Sequence, residues 1–100
     1  MSLNIKEKNN VVTIAIEGSF DVSGYQAFKE VIETHNDPQT HFIVECKHAS
    51  YLDSSALGML LLLREKTAGD QKRLKLVNVH GDVASILKIA QFDRLFSINP

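Results

Sequence analysis

One hundred residues, 44% of them apolar, suffice for one domain around one hydrophobic core, so the chain reads as a single unit over residues 1–100. Its 11 basic and 12 acidic side chains leave a formal charge of -1, which gives no long-range field to recruit nucleic acid or an anionic membrane. A lone Cys46 excludes an intrachain disulfide, Met1 to Lys6 carry no apolar leader, and the longest apolar run, Met59 to Leu63, is too short to cross a bilayer; the expected address is the cytoplasm.

The chain opens with Leu3-Asn4-Ile5, breaks at Lys8-Asn9-Asn10 and resumes as Val11 to Ile16, the pattern of a hairpin. Val12, Ile14 and Ile16 share one face of the second strand and Val11, Thr13 and Ala15 the other. Both faces are apolar or small, which predicts an interior strand, closed by Gly18-Ser19-Phe20-Asp21. Val22 to about His35 has helical spacing, with Ala27, Phe28, Val31 and Ile32 as its buried stripe and Asn36-Asp37-Pro38 as its stop. His41 to Cys46 is the next strand, with Cys46 facing the core, and Lys47 to Leu52 reads as a loop. A helix follows from Ser54 toward Gly69, then a strand over Leu74 to Val79. A third helix starts near Asp82 and buries Val83, Ile86, Leu87 and Ala90, and Phe96-Ser97-Ile98 is a last short strand. The order β-β-α-β-α-β-α-β predicts a small α/β domain with a mixed, mostly parallel sheet. Helical returns join parallel neighbours by right-handed crossovers, and the opening hairpin supplies an antiparallel edge.

The helix at Ser54 is the most informative segment. At 100° per residue, Leu57, Leu60, Leu63 and Thr67 fall on one arc and are expected to cover the sheet, while Ser54, Gly58, Leu62 and Glu65 fall opposite. Covering one sheet face does not require all of Met59 to Leu63 to be apolar, so Leu62 is expected as a greasy spot on the outer side. Gly58 inside a helix costs roughly 0.5–1 kcal/mol relative to alanine, and close approach of another molecule would account for it. Asp53 or Ser54 can cap the first turn. A phosphoryl group on Ser54 would add about -1.5 to -2 charges at a helix start whose amides accommodate anions, beside the existing carboxylate of Asp53.

Catalytic readings find less support. Asp21, His41, Cys46, His48, Asp53 and Ser54 are the reactive side chains available, but no strand-turn-helix nucleophile signature surrounds Ser54. His35, His41 and His48 match no compact zinc spacing, and Gly18, Gly24 and Gly58 form neither a phosphate loop nor a dinucleotide fingerprint. The expectation is a non-enzymatic chain with no cofactor and no metal.

Tyr51-Leu52-Asp53-Ser54-Ser55-Ala56-Leu57-Gly58 resembles the signature of STAS domains, specifically bacterial anti-sigma factor antagonists. Ile14 to Asp21 resembles that family's second strand and following loop, and His80 to Ile98 its third helix and final strand. The resemblance implies a chain that binds an anti-sigma factor, often itself a serine protein kinase, and so releases a sigma factor. It further implies phosphorylation by that kinase on the first serine after the aspartate, here Ser54, with a phosphatase restoring binding. Asp21, Val22, Ser23 and Gly24 would form a neighbouring docking loop, and Asp53, Ser54, Ser55, Gly58 and Leu62 the rest of the contact surface. Two departures stand out: Ala56 replaces the glycine that many relatives have after the paired serines, and the family's terminal helix is absent after Ile98. That absence implies an exposed sheet flank open to self-association or to a membrane-complex partner. The alternative within the family is a scaffold in a transport, lipid-trafficking or sensory complex, with Ser54 left unmodified.

Overall fold

In a computed structural model that describes residues 2–35 and 37–100, with Met1 and Asn36 outside it, the first two strands are β1 (Ser2–Lys8) and β2 (Val11–Phe20). Asn9 and Asn10 join them with φ of 52° and 65°, left-handed values that asparagine tolerates and that match a two-residue hairpin turn to the twist of its strands. The remaining strands are β3 (His41–Leu52), β4 (Leu74–Val77) and β5 (Ser97–Ile98), and the helices are α1 (Tyr25–Thr34), α2 (Ser54–Lys66) and α3 (Gly81–Ile89). The predicted element order is therefore the observed one, with short 3-10 turns added at Val22–Gly24 and Phe92–Arg94.

The sheet runs β1-β2-β3-β4-β5, antiparallel at the hairpin and parallel thereafter. Each strand lies beside its predecessor, so crossovers of one hand lay all three helices on the same side of the sheet. Burial follows. On the helix side Val12, Ile14, Phe42, Val44, Leu74 and Leu76 are at most 2% exposed. On the other side Val11, Thr13, Ala15, Ile43 and Val77 are only half-buried. Cys46 faces the helix side as expected, and burial pushes its thiol up to about 12, which keeps it protonated and unreactive at neutral pH.

Several local expectations are corrected. β2 continues to Phe20 and β3 to Leu52, so the segment read as a loop is sheet. In the register, Ala15 to Glu17 faces Glu45 to His48, and Gly18 to Ser19 faces Ala49 to Tyr51. β3 thus carries one extra residue at each step, and the inward positions fall at Cys46, Ala49 and Leu52, three apart. Gly18, at φ 80°, supplies the backbone for the second irregularity. In α1, Ala27 is exposed, and the buried residues are Phe28, Val31 and Ile32. The stop predicted at Asn36-Asp37-Pro38 includes Asn36, outside the described residues, and α1 ends at Thr34 with His35 as C-cap. β4 ends at Val77 because Asn78 takes φ 54°.

Candidate functional site

The extension of β2 and β3 sets the geometry of the predicted site. Phe20 pairs with Leu52, and the Asp53 amide donates to the Phe20 carbonyl at 3.2 Å. The Asp21 turn and the start of α2 therefore leave adjacent strands about 4.8 Å apart, at the carboxyl end of the parallel sheet. Loops at this edge are where open α/β sheets carry their binding sites.

Asp21 caps the turn that follows it. Its Oδ1 accepts from the Ser23 hydroxyl and from the Ser23 amide, the latter at 3.0 Å. Those two bonds, the hydroxyl first, hold the Asp21 carboxyl below its ordinary 3.8. Val22 stands 67% exposed beside it and Ser23 is exposed, whereas Gly24 turns inward and is buried. Gly24 thus belongs to the packing under the loop, and a partner would meet its neighbours.

Asp53 is extended, and its Oδ1 accepts from the Ala56 amide at 3.0 Å, while the Leu57 amide closes the first helical turn on the Asp53 carbonyl at 3.2 Å. Capping therefore falls to Asp53 and not to Ser54. Ser54 is exposed on the first turn, and Ser55 is half-buried. An anion at this tip would meet the positive end of a thirteen-residue helix and the capping carboxylate of Asp53, with the Asp21 turn on the adjoining strand.

Farther along α2 the buried stripe is Ala56, Met59, Leu60, Leu63 and Thr67. This corrects the expected arc: Leu57 rolls to the flank, half-buried, and Met59 takes its place. Leu62 also lies on a flank, half-buried and packed against the core, and with Glu65 and Lys66 it lines a shallow depression of about 290 Å³. The leucine facing water is Leu61, at 42% exposure. Gly58 is exposed too, and a Cβ built on it would meet nothing within 4 Å. Nothing among the described residues requires glycine there.

Two exposed aromatics beside the site were not among the site residues expected from the sequence. Tyr25 follows the Asp21 turn as the first residue of α1, and Tyr51 pairs with Ser19 just before Asp53. Each is more than 40% exposed. The available signal was their position, since neither falls on an apolar stripe and each abuts one of the two acidic loops. His41 and His48 are exposed on β3, and among the described residues no cluster of three His, Cys, Asp or Glu side chains could hold a metal ion.

Comparison with known proteins supplies the family. A STAS-domain containing protein of Pseudomonas aeruginosa is 41% identical over 88 residues, covering 88% of this chain and 87% of that protein. Among solved structures, an anti-sigma factor antagonist from Mycobacterium paratuberculosis superposes with a TM-score of 0.81 at 17% identity, over 99% of this chain and 85% of the other. The Bacillus cell fate determinant SpoIIAA in its phosphorylated form gives 0.75 at 16% identity, over 97% and 90%. At such identities the structural likeness establishes the fold. The STAS domain model itself matches residues 2–100, and with it the Asp-Ser-Ser helix start takes its place in a known architecture: this chain belongs to the STAS domain family.

Proposed function

We propose that this chain is a phosphorylation-switched protein-binding regulator that antagonises an anti-sigma factor with serine kinase activity, with Ser54 as the phosphoacceptor. One observation carries the reading. The Ser54 hydroxyl is exposed on the first turn of α2 and is spared the capping role by Asp53, while the Asp21 turn stands on the adjoining strand. Two solved neighbours, one named an anti-sigma factor antagonist and the other a cell fate determinant in its phosphorylated form, support it through the shared fold.

The switch is local. In the unmodified state the partner lies across Val22, Ser23, Ser54, Ser55 and Gly58. Transfer of the γ-phosphoryl group of ATP to the Ser54 oxygen releases ADP and a proton to the kinase, and leaves roughly -1.5 to -2 charges at the tip. The helix start tolerates the new anion, so the domain stays folded. A partner packed against the tip, by contrast, meets added bulk and a charge reinforced by Asp53 and Asp21. A phosphatase returns the binding state by hydrolysing the ester.

The test pairs mass measurement with affinity. Incubation with the cognate kinase and ATP adds one phosphate, which fragmentation maps to Ser54, and Ser54→Asp weakens the complex at least tenfold. A phosphate mapped to Ser55 would overturn the acceptor assignment. Equal affinity of wild type and Ser54→Asp, with unmodified protein recovered from cells, would favour a scaffold role.

A further inference from the structure

The side of the sheet that no helix covers is shaped for a specific kind of occupant. Three depressions of about 410, 400 and 180 Å³ lie on it. The first two share Lys6 and Thr13, the last two share Val11, and the first and third share Ile43, so together they form one trough across β1 to β4. Its floor is the half-buried row Val11, Thr13, Ile43 and Val77 on β2, β3 and β4. Exposed lysines stand along both margins, Lys6 and Lys8 on β1 and Lys72 and Lys75 at β4.

The margins are three strand spacings apart, about 14 Å. An α-helix with its side chains is about 10–12 Å across, so it fills that width. Of the acids on this face, Glu17 lies toward the carboxyl end of β2, and Glu45 lines the first depression opposite Lys6, the one carboxylate among the four lysines of the trough. Glu45 is also engaged within the chain: Oε1 accepts from the Asn78 amide group at 2.7 Å, and Oε2 is shut away from solvent. A chain whose formal charge is -1 therefore presents a locally basic, apolar-floored groove.

We infer that this trough docks an acidic amphipathic helix of a partner protein, with leucine-type residues on the floor and glutamates or aspartates between the two lysine rows. A second copy of this chain is a poor match, because each of its helices mixes the signs. Lys29 pairs with Glu33 on α1 at 3.8 Å, Arg64 and Lys66 flank Glu65 on α2, and α3 holds Asp82 with Lys88. The surface is separate from the α2 tip, so the two can be occupied and tested independently. Charge complementarity of this sort sets partner choice, and it weakens as salt rises.

The probe is a synthetic helical peptide with a leucine stripe flanked by glutamates, titrated into isotopically labelled protein and followed by NMR. Amide shifts centred on Val11, Thr13, Ile43 and Lys75 are expected, with at least tenfold weaker binding at high salt. The double variant Lys6→Glu/Lys75→Glu, verified as folded by circular dichroism, should lose at least tenfold in affinity while remaining a substrate for phosphorylation at Ser54. A peptide with glutamine for every glutamate should not bind. The inference is overturned by an absence of shifts on this face, by equal binding of the glutamine peptide, or by shifts confined to the α2 tip. Concentration-dependent shifts without peptide would assign the face to self-association. Capture on phosphatidylglycerol vesicles without peptide binding would assign it to a membrane. Either result overturns it.

Discussion

The two sides of α2 obey different constraints. Its inner stripe, Ala56, Met59, Leu60, Leu63 and Thr67, is at most 2% exposed. Even the Thr67 hydroxyl is satisfied there, donating within the helix to the Arg64 carbonyl at 3.0 Å. Its outer side carries Ser54, Gly58 and Leu61 in water, touching little that would dictate their identity. Packing specifies the first set, because a close-packed interior registers the loss of even one methylene. The second set is free of that demand, so an exposed leucine, a helical glycine and an uncapped serine on one side ask for an explanation outside the fold.

The largest break in this contrast should come from Leu63→Ala, which empties a fully buried position against the sheet. A loss of about 2–5 kcal/mol in chemical denaturation is expected. At the boundary between the two sides, Asp53→Ala removes the acceptor of the Ala56 amide and should cost about 1 kcal/mol by the same measurement. On the outer side the sign reverses. Gly58→Ala meets no atom within 4 Å and should stabilise the domain by roughly 0.5–1 kcal/mol while weakening partner binding at the tip. A destabilised Gly58→Ala would show that the chain itself requires the glycine. The smallest effect is electrostatic: Ser23→Ala should raise the Asp21 titration midpoint toward its ordinary value in an NMR pH series. A depressed carboxyl favours the fold above its unfolded value and loses that contribution as pH falls through the folded one, so the variant should blunt the acid side of the stability profile.

Much of this architecture was legible because the elements signal themselves locally. Val11 to Ile16 alternates, Asn9-Asn10 marks a hairpin, and Asp53-Ser54 marks a helix start, so the order of elements and the mixed, mostly parallel sheet both follow. The far half of β3 was hidden by its two inserted residues. They space Cys46, Ala49 and Leu52 at intervals of three, a period that belongs to neither a flat strand nor a full helix. At the candidate site, the helix start was legible from capping chemistry, and the Asp21 turn only through the family resemblance. The identity of the outward leucine was not, since Leu61 and Leu62 lie on either side of Gly58 and the roll of a helix about its axis is fixed by what packs beneath it. The basic trough was likewise scattered along the chain, its lysines coming from residues 6, 8, 72 and 75, and only the pairing of β1 through β4 gathers them.

A sheet whose spatial order repeats its chain order also has a history in synthesis. No strand waits for a later one to be inserted between it and its neighbour, so each new segment can add to an edge that already exists. Once Thr67 has left the ribosome, β2, β3 and α2 are all available to assemble, and the Asp21 turn and the Ser54 tip can meet before β4 and β5 have emerged to join them. The candidate site can therefore assemble while the far edge of the sheet is still inside the ribosome.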